Sequence, residues 1–274
     1  MKLVGQNINE QFTAAAFSKQ SVVFDELYSR NTIVNYKRER VRATFMQYVL
    51  PGSTVLELNC GTGEDAIFFA GQDYKIHATD VSEGMIAVLK EKLRVRGLTD
   101  KITNECCSYT ALNTLKNKQQ YDAVFSNFGG LNCTDALDKV LLSFNDLLKP
   151  GGIVCLVVIP KFCLWETLLF LKGKFKTAFR RFFSKNGRRA HIEGKYFTCW
   201  YYNPSYITGV LKNNFTIETI EGLCTIVPPS YIEGFAEKYP RVFKFLAAKE
   251  NKLKAKRPWR SIGDYSVVVM RKKG

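Results

Sequence analysis

Residues 55–66 read VLELNCGTGEDA, and their order decides the fold. An apolar run, Val55 to Leu58, meets a turn of small residues, and the helically spaced EDAIFFAG follows directly. Strand, tight turn and helix in that order open a βαβ unit, and residues 61–66, GTGEDA, fit the GxGxxA pattern of nucleotide-binding loops. Gly61 and Gly63 lack side chains, so a ligand can approach the backbone there. Asn59 stands where many such loops carry another glycine, and Asn enters left-handed backbone geometry more readily than most residues. An ordinary turn is the alternative; the flanking strand and helix favour a ligand.

The same alternation continues to about residue 160. TVLEL, KIHATD, KITNECC, YDAVFSN and GGIVCLVVI read as strands. EDAIFFAG, SEGMIAVLKEKLRVRG and DALDKVLLSFNDLLKPGG show helical spacing, the second closed by Gly97 and the third by a Pro-Gly-Gly break. This predicts a doubly wound α/β domain with a mostly parallel, Rossmann-like sheet and helices on both faces. FTIETIEG and DYSVVVMRKK add strands near the C-terminus. The expected layout is one domain over 1–274: a helical cover at 1–50, a cofactor-binding core at 51–160, an inserted cap at 161–203, and strands completing the sheet at 204–274.

Asp80 ends the second strand about 20 residues beyond the glycines, the spacing at which a carboxylate reaches ribose hydroxyls. NAD and S-adenosylmethionine are served equally by that feature, and capping of the next helix is the bland alternative. Charge separates the two ligands. A pyrophosphate sits on free N–H groups at a helix N-terminus, where this chain places Glu64 and Asp65, with Glu57 ending the strand before. Three acids repel a pyrophosphate and suit a ligand bearing an ammonium and a sulfonium.

With these residues in hand, the chain resembles the class I S-adenosylmethionine-dependent methyltransferases. VLELNCGTG is similar to their first motif, ATDVSEGMI to the second, YDAVFSNFGGLNC to the fourth, and LLKPGGIVCLVV to the approach to the fifth strand, together spanning about residues 53–158. The resemblance implies a seven-stranded sheet and S-adenosyl-L-methionine as cofactor. It implies that Glu57, Asn59, Gly61 and Gly63 line the methionine moiety and Asp80, with Val81 beside it, binds the ribose. Met85 would pack near the adenine. Ser108, with Tyr109, falls where many members carry an Asp for the adenine amine. Asn127, Phe128 and Gly129 would sit beside the sulfonium and the methyl acceptor. The segment AFSKQSVVFDELYSRNTIVNYKRERV is similar to N-terminal helices that close over the cofactor, from which Arg38 could reach its carboxylate.

Transfer from a sulfonium is an in-line displacement that needs alignment and exclusion of water more than covalent machinery. If the acceptor must lose a proton, His191 is the candidate base, with a packing or surface histidine as the alternative; His77 lies inside a strand. Tyr28, Trp200, Tyr201 and Tyr202 are candidates for an aromatic wall around the acceptor, or for plain core. Oxygen is the expected target atom.

A net charge of +15 attracts polyanions, and KRERVR and KGKFKTAFRRFFSKNGRR hold much of it. In LWETLLFLKGKFKTAFRRFF, helical spacing lines up Leu168, Leu171, Phe175, Phe179 and Phe182 against Lys172, Lys174, Lys176, Arg180 and Arg181, with Gly173 as the weak point. This predicts a basic helical cap after the fifth strand, either packed on the sheet or recruiting, through 172–189, a hydrophobic acceptor at an anionic membrane surface or on an acidic carrier protein. Nucleic acid is the rival partner, but an Asp/Asn-Pro-Pro-Tyr/Phe motif is missing after the fourth strand, which reads SNFGG, and VPPSY at 227–231 comes too late. A non-catalytic scaffold is the other rival.

Eight cysteines without a CxxC pair, and two histidines, point to a reducing compartment and no metal site. The start lacks a signal-peptide pattern and no apolar run reaches membrane-spanning length, so the expectation is a cytoplasmic protein, with peripheral attachment to a membrane surface as an extension of it.

Overall fold

The computed structural model describes residues 8–116 and 118–274. Two helices come first, α1 (Ile8–Ser29) and α2 (Thr32–Tyr48), the second capped by Asn31, whose side chain accepts from the amides of Ile33 and Val34. The alternating section follows: β1 (Thr54–Leu58), α3 (Glu64–Gly71), β2 (Lys75–Asp80), α4 (Glu83–Arg96), β3 (Ile102–Cys106), β4 (Tyr121–Ser126), α5 (Leu137–Leu147) and β5 (Leu148–Val158). Beyond it lie α6 (Leu164–Leu168), α7 (Phe175–Ala178), β6 (Arg188–Ile192), β7 (Lys195–Cys199), α8 (Pro204–Leu211), β8 (Phe215–Leu223), α9 (Phe235–Lys238), α10 (Pro240–Leu253) and β9 (Tyr265–Lys272).

Seven strands form one sheet in the order β3-β2-β1-β4-β5-β9-β8, parallel except for β9, which runs antiparallel to both neighbours. Both faces are covered, so the inner strands are apolar on alternate sides. Val55, Ala123, Phe125 and Ile153 pack on one face with Phe45 of α2, Phe69 of α3 and Leu89 of α4. Leu56, Leu58, Val124 and Leu156 pack on the other with Leu141 and Phe144 of α5 and Ile207 of α8. Strand order reverses between β1 and β4, and a crevice opens there at the strands' C-terminal ends.

Local signals act as the sequence implied at several turns. Gly97 caps α4 at φ 64°, its amide donating to the Leu93 carbonyl. The N-cap of α4 is Ser82, whose hydroxyl accepts from the Met85 amide, so Asp80 is not the capping residue. Helix α1 crosses the N-terminus of α4 closely enough that a Cβ on Gly84 would lie 2.8 Å from the Ser18 carbonyl oxygen.

Within 161–203, the stretch 164–183 does not form the single amphipathic helix its spacing predicts. Gly173 takes φ 71° and ends a short turn, α7 has four residues, and a two-stranded hairpin, β6 with β7, makes up the remainder. Of the two orientations open to it, the apolar side does not take the one packed on the sheet. Ala178, Arg181 and Ser184 face inward, while Leu171, Phe175, Phe182 and Phe183 are exposed. Arg181 governs this: Glu166 and Asp264 both pair with it at 2.7 Å, and it donates to the carbonyls of Pro160 and Asp264. A buried guanidinium satisfied on every side fixes which way the segment turns.

Candidate functional site

Two cavities, about 120 and 260 Å³, meet in the crevice beyond β1 and β4 and share Phe17, Phe24, Asn59, Gly61, Asn127 and Phe128. Helix α1 roofs both with one face: Glu10, Thr13, Phe17 and Phe24 over the first, Phe17, Phe24 and Tyr28 over the second.

The loop between β1 and α3 is held by its own backbone needs. Asn59 and Gly61 adopt left-handed geometry, φ 46° and 57°. Asn59 accepts from Ser126 Oγ at 3.0 Å and donates to the Asn127 carbonyl, tying the loop to the end of β4. Asp80 accepts from the amides of Gly61 (2.9 Å) and Ser82 (2.8 Å), leaving lone pairs of a carboxylate directed at the first cavity. Gly63 lines neither cavity; a Cβ there would lie 2.2 Å from Leu89 Cδ1, so its part is the close packing of α3 on α4.

Val81, Met85, Ser108 and Tyr109 line the first cavity. The Ser108 position, which lacks the acid many relatives carry, has one next to it: Glu10, buried, accepts from the hydroxyls of Ser108 (3.0 Å) and Thr110 (2.8 Å). No sequence signal singles out Glu10, because the carboxylate arrives from a helix 98 residues away in sequence.

The second cavity holds the charges. Glu57 is 3% exposed and its Oε2 has no hydrogen-bond partner. Burial, then the charge of Asp65, keeps its carboxyl well above the usual carboxylate range against the pull of Arg42 and Arg38. Glu64 and Asp65 are differently placed. Arg42 Nε donates to Asp65 at 2.7 Å, Asn127 Nδ2 to the other Asp65 oxygen at 2.8 Å, and Lys92 pairs with Glu64 at 2.7 Å. Those two acids are largely neutralised, and the acid left with an unpartnered oxygen in this cavity is Glu57. Its orphaned, buried oxygen fits a cationic ligand group. Arg38 stands on the same wall, 3.7 Å from Asp65 and over the Phe128 ring at 5.2 Å.

Lys37, Ser230 and Tyr265 complete this cavity and were not singled out in the sequence. Lys37 is 3% exposed; it donates to Ser230 Oγ at 3.0 Å, lies 3.8 Å from Asp264, and sits over the Tyr265 ring at 4.7 Å. Burial works against its charge, but Tyr265 and Asp264 outweigh burial and hold its pKa above the ordinary lysine value.

Several expected residues lie elsewhere. His191 is exposed on β6, its ring stacked on Tyr196 at 4.5 Å, and lines neither cavity, although its neighbour Ile192 does. The β-strand alternation of side chains sends the two in opposite directions. Trp200 packs against the core, Tyr202 is buried with its hydroxyl on the Thr134 carbonyl at 2.6 Å, and Tyr201 lies under the Arg181 guanidinium. None of the three lines the cavities, and of the proposed aromatic wall only Tyr28 does so. Gly129, at φ 72°, turns the chain behind Phe128, and Gly130 lines the cavity in its place. Among the described residues no cluster of three or more His, Cys, Asp or Glu could hold a metal, and no helix is long and apolar enough to cross a membrane.

Comparison with known proteins finds methyltransferases in sequence and in fold. The family profile described as "Methyltransferase domain" matches residues 55–152. The chain is 30% identical over 155 residues to a demethylmenaquinone methyltransferase of Bacillus mycoides, covering 55% of this chain and 64% of that protein. It is 31% identical over 153 residues to a ubiquinone/menaquinone biosynthesis C-methyltransferase of Serratia proteamaculans, covering 51% and 60%. It thus spans less than two thirds of the length of either relative. A similar fold occurs in the Burkholderia thailandensis 1,6-didemethyltoxoflavin-N1-methyltransferase solved with S-adenosylhomocysteine, at TM-score 0.60 and 15% identity over 100% of this chain and 93% of that one. A Listeria monocytogenes methyltransferase structure gives TM-score 0.62 at 17% identity, covering 88% and 98%.

Proposed function

We propose that the chain is a class I S-adenosylmethionine-dependent methyltransferase that transfers methyl to a small lipophilic acceptor with an acidic hydroxyl on a conjugated ring. The observation that carries this reading is Lys37, a buried cation in a cavity whose aromatic walls are Phe17, Phe24, Tyr28, Phe128 and Tyr265 and whose other charges, Glu57, Glu64, Asp65 and Arg38, gather at the β1–α3 loop. Apolar walls select a lipophilic body, and a buried cation beside them selects an oxyanion on it.

S-adenosylmethionine supplies a methyl group already activated on a sulfonium. Glu57 and Arg38 are suited to its ammonium and carboxylate, Asp80 to its ribose, and Glu10 with Ser108 to its adenine amine. Phe17 and Phe24, roofing both cavities, keep water away from the junction between them. Asn127, fixed by Asp65, borders that junction.

Lys37 lowers the cost of ionising the acceptor hydroxyl, which spreads negative charge onto the adjacent ring carbon. With the oxygen held by the ammonium, the ring carbon is the freer nucleophile. The reading therefore differs from the expectation of transfer to oxygen, and the C-methyltransferase name of the Serratia relative lies in the same direction. His191 serves neither proton: the hydroxyl beside Lys37 gives up its proton to solvent before the acceptor is enclosed. After the ring carbon takes the methyl and the S–CH3 bond breaks, the dienone loses that carbon's own proton to water, and the oxygen regains one as the ring becomes aromatic again.

The test is calorimetric titration with S-adenosylhomocysteine, followed by turnover with S-adenosylmethionine and a short-chain naphthoquinol, with the product methyl located by NMR. Micromolar binding and a new carbon-bound methyl are expected. A product methylated at oxygen would restore the earlier expectation, and a folded protein that ignores S-adenosylhomocysteine would overturn the reading.

A further inference from the structure

The segment 168–189 turns its large apolar side chains to solvent. Leu171, Phe175 and Phe183 are 70%, 61% and 74% exposed, and Phe182 accompanies them. Lys172, Lys174, Lys176 and Lys185 are exposed among them. The one acid between residues 164 and 192 is Glu166, which is buried and consumed by Arg180 and Arg181. The outer surface is therefore aromatic, aliphatic and cationic, with no exposed carboxylate within the segment. Its inner side is held by the Arg181 cluster, so the aromatics cannot simply turn inward.

The segment is joined to the acceptor cavity through buried side chains. Asp264, which pairs with Arg181 at 2.7 Å, also lies 3.8 Å from Lys37, and Ile192, at the end of the same insertion, lines the second cavity.

We propose that residues 168–189 dock the protein on an anionic lipid bilayer, with the aromatic and leucine side chains at the headgroup–acyl boundary and the lysines on lipid phosphates. The charge is complementary to such a surface. Aliphatic Leu171 gains by entering hydrocarbon and has no flat face for a nucleobase, which favours a bilayer over nucleic acid. Docking there brings a lipophilic acceptor to the mouth of the Lys37 cavity without passage through water. The inference rests on the lipophilic acceptor proposed above, but its test does not require that acceptor.

The experiment is co-sedimentation of the full chain with vesicles of phosphatidylcholine alone and with about one third phosphatidylglycerol, in low and high salt. Single-stranded RNA binding is measured beside it. Expected is retention on the anionic vesicles that weakens as salt rises. Phe175→Ser with Phe183→Ser should reduce it about tenfold or more, and so should the charge reversals Lys172→Glu, Lys174→Glu and Lys176→Glu. These residues are exposed, and unchanged S-adenosylhomocysteine titration of each variant would show that the fold is kept. Absence from the pellet at low salt overturns docking. So does retention indifferent to the phenylalanines, which is mere charge adsorption, and so does tighter binding to RNA through the same residues. Vesicle retention without S-adenosylhomocysteine binding would leave docking standing and remove the methyltransferase reading; the converse removes docking alone.

Discussion

The Nζ of Lys37 lies 4.7 Å from the centre of the Tyr265 ring, bringing a residue of the N-terminal helices against the first residue of the last strand. Together with Ser230 they line one part of the second cavity. Lys37→Met keeps the length of the side chain and removes the cation. It should lower kcat for a hydroxylated acceptor by about a hundredfold, the scale of one lost electrostatic donor. Affinity for S-adenosylhomocysteine should stay near that of the wild type. Equal loss of both would make Lys37 a structural residue. Because its pKa is held above the ordinary lysine value, Lys37 itself imposes no loss of rate below about pH 10.

Glu57 carries a pH dependence of definite sign. Its carboxyl ionises near pH 4.3 in the unfolded chain and at a higher pH in the folded one, so the native state binds more protons between those values. Stability should fall as pH rises through that window and level off above the folded value. Glu57→Gln should lack this slope, and urea denaturation at a series of pH values would show it. A cationic ligand group favours the carboxylate, so S-adenosylhomocysteine should bind the wild type with release of a proton. Calorimetry in two buffers of different ionisation enthalpy measures that release, and its persistence in Glu57→Gln would remove the assignment.

Asp80 has a structural duty as well as a proposed ribose contact. Asp80→Ala strips the acceptor from the amides of Gly61 and Ser82 and should cost about 1–3 kcal/mol of stability. Asp80→Asn retains one acceptor oxygen but turns its NH2 against the other amide, since Gly61 and Ser82 donate to different carboxylate oxygens, so it should lose stability as well. At a temperature where it stays folded it should bind S-adenosylhomocysteine about tenfold more weakly than the wild type, which thermal unfolding and titration together would reveal. Unchanged affinity in the Asn variant would leave Asp80 a loop fastener only.

Gly84 sets the height of the roof. An alanine Cβ would meet the Ser18 backbone at 2.8 Å, so Gly84→Ala must lift α1 from α4 and carry Glu10, Thr13, Phe17 and Phe24 with it. Ligand affinity should drop together with about 1–3 kcal/mol of stability. Gly71→Ala, where nothing lies within 4 Å of the added carbon, is the control and should change neither. Comparable losses in both variants would refute a role for the roof.

By itself the sequence determined the sheet, its turns and the loop at its crevice, because those depend on short-range physics. Val55 and Leu56 announce a strand covered on both sides, Asn59 and Gly61 announce left-handed turns, and Asp80 announces a strand end. The matching motifs lie in a continuous stretch, so their spacing survives in one dimension. Only the tertiary structure decided the walls and the outer surface. Glu10 reaches Ser108, and Lys37 reaches Tyr265, across separations in sequence that no periodicity encodes. His191 was a reasonable base by chemistry, and strand alternation turned it to solvent. The spacing of Leu171, Phe175 and Phe182 left open a stripe packed on the sheet or one turned outward. The ion cluster of Arg181 with Glu166 and Asp264 decided for the outward one, since a buried guanidinium that finds every partner outweighs the local pattern of apolar residues around it.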